Sequence, residues 1–164
     1  MPHNFKMPRK YVDRMVERLG REHVQESFTT EKTALVVVDM QNYFMDESQM
    51  AGCPVGQTIV DNVNRIANVV RQTGGIVIWI QNLAPGNTPE TWKTAHERYT
   101  PEKGEIRVKS MKPGEWPFEF WPTLDMHDED YRVVKRRYSA FIQGSSDIEL
   151  ILKDNEIENI LVCG

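Results

Sequence analysis

Three short apolar runs in this chain end on residues that matter chemically. Ala34–Val38 ends at Asp39, Tyr131–Val134 ends at Lys135, and Ile160–Cys163 ends at Gly164. A carboxylate can take up and return a proton, and an ammonium group favours an anion beside it, a thiolate included. The chain has two cysteines, Cys53 and Cys163. A carboxylate, a cation and a thiolate together allow nucleophilic attack on a carbonyl carbon, with backbone amides at a turn holding the oxyanion. Each residue also has a plainer reading. Asp39 can cap a loop, and Lys135 can belong to a solvated basic run with Arg136 and Arg137. Cys163 sits inside an apolar run, where a small thiol behaves as an ordinary packing residue. Cys53 lies in a loop beside Pro54 with no supporting pattern.

The surrounding elements decide whether these residues can meet. Ala34–Val38 and Ile76–Ile80 are continuous apolar runs rich in β-branched residues, which predicts strands buried on both faces of a parallel sheet. Between them, Ile59, Val63, Ile66 and Val70 recur at helical spacing, with Thr58 placed to cap the start and Gly74-Gly75 to end it. This is a β-α-β unit. Tyr131–Val134 and Ile160–Cys163 are the third and fourth strands. Ser146-Asp147-Ile148-Glu149 has the form of a capping box and opens a helix to about Asp154. In such a sheet, ligands bind beyond the carboxyl ends of the strands, so Asp39 and Lys135 are expected at one rim although far apart along the chain.

Two stretches lie outside this pattern. Residues 1–30 read as a helical extension, with Tyr11, Met15 and Leu19 on one face and Gly20 as the stop, packing on the domain (31–164) or on a neighbouring subunit. From Leu83 to Asp130 the chain is irregular and proline-rich, a length that suits a lid or pocket wall. Thr88-Pro89-Glu90 predicts a short helix through Tyr99. Trp92, Trp116, Phe118, Phe120 and Trp121 supply its packing, and Asp125, Asp128, Glu129 and Asp130 read as a solvated loop.

Composition narrows the function. Hydrophobic residues make up 40% of the 164, enough for a core, and the net charge is −4 with no basic stripe, which argues against nucleic acid. Two cysteines are too few for a disulfide framework and suit a reducing cytoplasm. No secretory signal or membrane-spanning run is visible. The histidines at 3, 23, 96 and 127 form no close metal pair, and no glycine-rich loop follows the first strand. No cofactor and no metal are expected.

The motifs in order carry a resemblance. Val36–Phe44 resembles the opening of isochorismatase-like cysteine hydrolases, a strand followed by D-x-Q-x-x-F. Lys135–Phe141 resembles their second motif, a lysine followed by R-Y-S-x-F. Ile160–Gly164 resembles the strand leading into their third. The resemblance covers about residues 32–164 and implies a three-layer α/β/α fold with a mainly parallel, Rossmann-like sheet. It implies Asp39 as general base, Lys135 as cationic partner, and a nucleophilic cysteine expected beyond Gly164, with Cys163 as the weaker alternative. The fold's C-terminal part is then missing from this chain. Ile78–Asn82 and the stretch 112–124 look most like the ureidoacrylate and ureide amidohydrolase branch. That implies hydrolysis of a C–N bond in a small amide, ureide or carbamoyl compound through a thioester, by a homo-oligomeric enzyme. Asn82 is placed to bind a carbonyl and Tyr138 to close the pocket, with loop or packing roles as their ordinary alternatives. Two other readings stay open: a vinyl-ether hydrolase of the isochorismatase type that needs no cysteine, and an inactive member with a structural role.

Overall fold

The computed structural model describes residues 6–84 and 93–164. Helix α1 (Arg9–Leu19) ends on Gly20, whose φ of 71° is left-handed and whose N–H donates to the Val16 carbonyl. No residue of α1 is buried, and Tyr11 and Leu19 of its apolar face stay exposed. Strand β1 (Thr33–Val38) follows, then a one-turn helix α2 (Asn42–Met45), helix α3 (Val60–Gln72) and strand β2 (Ile76–Asn82). Helices α4 (Lys93–His96) and α5 (Pro101–Ser110), strand β3 (Tyr131–Lys135), helix α6 (Ile148–Asp154) and strand β4 (Asn159–Cys163) complete the order. The four strands form one sheet, β3-β2-β1-β4, with every pairing parallel.

The apolar runs of β1 and β2 are continuous because both faces of the sheet are covered there, whereas Ile160 and Val162 of β4 are exposed. Leu35 and Val37 of β1, with Val77 and Trp79 of β2, pack on Val60, Val63, Ala67 and Val70 of α3. The alternate residues Ala34, Val36, Ile78 and Ile80 face the other way, onto Ile148 and Leu152 of α6. A strand has a side-chain period of two, so a strand between two helical layers needs apolar residues at every position. The three-layer α/β/α architecture follows from this packing.

Several local expectations differ from the structure. Thr58 does not cap α3: a 3₁₀ turn at Pro54–Ile59 runs straight into the helix, and the Thr58 hydroxyl donates to the Val55 carbonyl at 2.7 Å. Ile66 is 37% exposed, and the buried stripe of α3 runs through Ala67 instead. The capping box at Ser146 does not form. Its hydroxyl donates to the Ala140 carbonyl at 2.9 Å and accepts from Ile148 N–H, not from Glu149. The stretch from Leu83 to Asp130 is less irregular than its prolines suggest, because it contains α5. Thr100 caps α5 and Pro101 occupies its first turn. The same cap-proline signal at Thr88–Glu90 lies outside the described residues, as does Trp92. Phe118 is buried, Phe120 and Trp121 pack on the α3-side core, and Trp116 is half exposed.

Asp130 is not solvated. Its side chain is 1% exposed and takes a 2.6 Å contact from Arg71 Nη2, a 2.7 Å bond from Trp79 Nε1 and a 2.9 Å bond from the His127 amide. Arg71 reaches it from the last turn of α3, a partner that no local pattern reveals.

Candidate functional site

The carboxyl ends of all four strands lie on one rim, and the parallel register fixes what stands there. Val38 pairs with Ile80, and Asn82 pairs with Lys135, so Asp39, Asn82 and Lys135 follow one another across β1, β2 and β3. Asp39 leaves β1 with φ of +57°, a left-handed conformation that most side chains resist and aspartate tolerates better than most. Its N–H still donates to the Ile80 carbonyl at 3.0 Å, so the turn stays anchored to β2. Lys135 reaches past β2 to place Nζ 2.7 Å from Asp39 Oδ2. Nζ also donates to the Tyr138 carbonyl at 2.9 Å.

This ion pair is half-sheltered. The Lys135 side chain is 5% exposed and that of Asp39 23%. Burial pushes the Asp39 carboxyl above the ordinary aspartate range. Lys135, the Asn82 side chain and the more distant Arg107 charge pull it back without cancelling the effect. Asp39 Oδ1 is buried with no hydrogen-bond partner among the described residues. The carboxylate therefore has one oxygen held by the ammonium group and one with unused accepting capacity, beside a raised proton affinity. Such a group can accept a proton from a nucleophile or from water.

Gly164 closes the rim from β4. A Cβ there would strike the Val38 carbonyl oxygen, and its φ of 132° suits glycine alone. The backbone at Gly164 thus passes directly against the residue before Asp39. Cys163 sits one position earlier, paired with Val37 and packed against the α3-side core. Burial pushes its thiol pKa up, away from thiolate character. Cys53 is exposed.

Gln41 is a site residue that the motif contains but that its residue type alone does not explain. It is fully buried. Oε1 accepts from Asn82 N–H at 2.7 Å, and Nε2 donates to the Phe118 carbonyl at 2.7 Å and to the Asn82 carbonyl at 3.2 Å. It locks the end of β2 to the loop after β1 and to the proline-rich excursion. Asn42 Nδ2 adds a bond to the Trp116 carbonyl at 2.8 Å. Tyr138 and Asn82 both line a narrow cleft at this rim, together with Arg107 of α5. Arg107 escaped the sequence because its helix did; Thr100-Pro101 was the one available signal. Among the described residues no group of histidine, cysteine or acidic side chains could hold a metal ion, and no helix is long and apolar enough to cross a membrane.

Comparison with known proteins gives this rim its context. Residues 33–164 match the isochorismatase domain model. A "probable inactive nicotinamidase" of Arabidopsis thaliana is 32% identical over 135 residues, covering 80% of this chain and 65% of that protein. The ureidoacrylate amidohydrolase RutB of Klebsiella pneumoniae is 28% identical over 152 residues, covering 84% of this chain and 63% of that protein. This chain thus spans somewhat under two thirds of these relatives' lengths. Among solved structures, N-carbamoylsarcosine amidase from Thermoplasma acidophilum superposes with a TM-score of 0.61 at 26% identity, over 81% of this chain and 67% of that one. A cysteine hydrolase from Pseudomonas syringae shares the fold with a TM-score of 0.73 at 23% identity, over 86% of this chain and 62% of that one. With the matched domain spanning all four strands and the rim they build, the chain belongs to the isochorismatase family.

Proposed function

We propose that this chain forms the larger part of an amidohydrolase that cleaves a C–N bond in a small amide, ureide or carbamoyl compound. The observation that carries the reading is the 2.7 Å contact between Lys135 Nζ and Asp39 Oδ2 at the strand rim, with the second carboxylate oxygen left without a partner. The amidohydrolases among the relatives support the reaction class.

In this reading the nucleophile is a cysteine beyond Gly164, whose backbone already lies against Val38. Asp39 takes the thiol proton, and Lys135 favours both carboxylate and thiolate. The sulfur attacks the carbonyl carbon. The C–N bond breaks, and the amine leaves with the proton that Asp39 held, giving a thioester. Water then attacks the thioester, Asp39 takes its proton, and the C–S bond breaks to release the acid and restore the thiol. Asn82 binds the substrate carbonyl and Tyr138 covers it. Cys163 is a poor substitute, since it lies within β4 and burial disfavours its thiolate. The enzyme is proposed to act in the cytoplasm as a homo-oligomer.

The test is ammonia or amine release by the full-length protein from N-carbamoyl compounds, with the acyl-enzyme trapped and weighed by mass spectrometry. A thioester mapped beyond Gly164 is the expected result. Turnover with no acyl-enzyme overturns the thioester step, and no turnover at all overturns the amidohydrolase reading in favour of a vinyl-ether hydrolase or a structural family member.

A further inference from the structure

The pairing of β1 with β2 stops at Val38 and Ile80, and its last main-chain bond runs from Asp39 N–H to the Ile80 carbonyl at 3.0 Å. Strand β2 nevertheless continues to Asn82. The side-chain amide of Gln41 fills the missing rung. Its Oε1 accepts from Asn82 N–H at 2.7 Å and its Nε2 donates to the Asn82 carbonyl at 3.2 Å. One planar amide thus supplies the acceptor and the donor that a neighbouring strand would have offered. On the opposite side Asn82 is in register with Lys135, and Leu83 N–H donates to the Lys135 carbonyl at 3.0 Å. The end of β2 is therefore held from both flanks. Gln41 is itself fixed, since it is fully buried and the chain on either side of it is strapped down. Asn42 N–H donates to the Glu119 carbonyl and Trp121 N–H to the Met40 carbonyl, both at 2.9 Å. Gln41 Nε2 also reaches the Phe118 carbonyl at 2.7 Å, an acceptor it shares with Gln81 Nε2 at 2.9 Å.

The register sets the Asn82 side chain on the same face of the sheet as that of Lys135. There it stands beside the 2.7 Å contact of Lys135 with Asp39, and it pulls the Asp39 carboxyl down against the effect of burial. A misplacement of about 1 Å at a reacting centre can cost about 100-fold in rate. We infer that Gln41 is a positioning residue: buried out of reach of substrate, it completes the end of β2 and so fixes Asn82 beside Asp39 and Lys135. The inference rests on the amidohydrolase reading for the role of Asn82 at the substrate carbonyl. The clamp on the Asn82 main chain rests on the hydrogen bonds alone.

The experiment is a double-mutant cycle on the full-length protein with Gln41→Leu, Asn82→Ala and the two combined. It reads kcat/KM for hydrolysis of N-carbamoylglycine and the titration of the Asp39 carboxyl by site-resolved NMR. Gln41→Leu is expected to lower kcat/KM about 10- to 100-fold. Once Asn82 is alanine, the same change should cost less than about twofold, because no side chain is left to position. Gln41→Leu should also raise the Asp39 midpoint toward that of Asn82→Ala, with no further rise in the double variant. Gln81→Leu takes the other donor from the Phe118 carbonyl and keeps the partners of Asn82, so both readings should stay near wild type. Gln41→Met, unbranched and of similar length, replaces Gln41→Leu if that variant does not fold. Wild-type readings in Gln41→Leu, an equal loss with and without the Asn82 side chain, or equal losses from Gln41→Leu and Gln81→Leu overturn the inference. No hydrolysis by the wild-type protein counts against the amidohydrolase reading instead. The Asp39 midpoints then decide the positioning role by themselves: an Asn82-dependent rise supports it, and no rise overturns it.

Discussion

Two aspartate ion pairs in this molecule differ in a way that separates architecture from chemistry. Asp130 is deeply buried and fully satisfied: both of its oxygens take bonds, from Arg71, Trp79 and the His127 amide. Burial alone would raise its pKa, but those donors outweigh it and the carboxyl lies below the ordinary range. Asp39 is more exposed, yet one oxygen has no partner and its pKa is raised. Asp130 ties β2 to α3 and to the loop before β3. Asp39 is held through Oδ2 by Lys135, while Oδ1 has no hydrogen-bond partner among the described residues. In the proposed function it is the unused hydrogen-bonding capacity and raised proton affinity of Asp39, and not burial, that set it apart from Asp130.

That contrast can be broken by mutation. Full-length Asp39→Asn should lose about 10²- to 10⁴-fold in amide hydrolysis, the usual contribution of a positioned base. Asp130→Asn should keep most of its rate per folded molecule. Its loss should appear in stability instead, at about 1.5–3 kcal/mol in a denaturant titration, because Arg71 loses its buried carboxylate partner and keeps only its contacts to the half-exposed Asp125. A greater stability cost at Asp39 than at Asp130 would reverse the assignment. Gln41→Leu should cost about 1–3 kcal/mol, since it leaves the buried Asn82 N–H without its acceptor.

The smallest effect sharpens the comparison most, because its sign differs between the two sites. Asp130 has a lowered folded pKa, so its stabilising contribution is present above the unfolded value and disappears as pH falls through the folded one. Asp39 has a raised folded pKa, so its contribution is fully present below the unfolded value and disappears as pH rises through the folded one. Relative to their asparagine variants, acidification should weaken the protein through Asp130 and strengthen it through Asp39. Denaturant midpoints at a series of acid pH values would show the opposed slopes.

Strands β1 and β2 were legible because a sheet covered on both faces demands unbroken apolar runs, and α3 because its apolar residues recur at helical spacing. Asp39 and Lys135 were legible as strand-end residues whose topology brings them together. Asp130 was not, since its partner Arg71 lies 59 residues away and an acidic stretch reads the same whether solvated or buried. Helix α5 was hidden because it buries no residue and carries Gly104 in its interior, which leaves no apolar stripe to find. The Ser146 cap failed for a tertiary reason, the competing Ala140 carbonyl. Arg107 follows α5 into obscurity, and only the folded chain sets it beside Asn82.

Site-resolved carboxyl NMR of the two aspartates tests the central claim most directly. Asp39 should titrate above the ordinary aspartate range and Asp130 below it, with Lys135→Met moving Asp39 higher still. A midpoint for Asp39 at or below that of Asp130 would contradict the account.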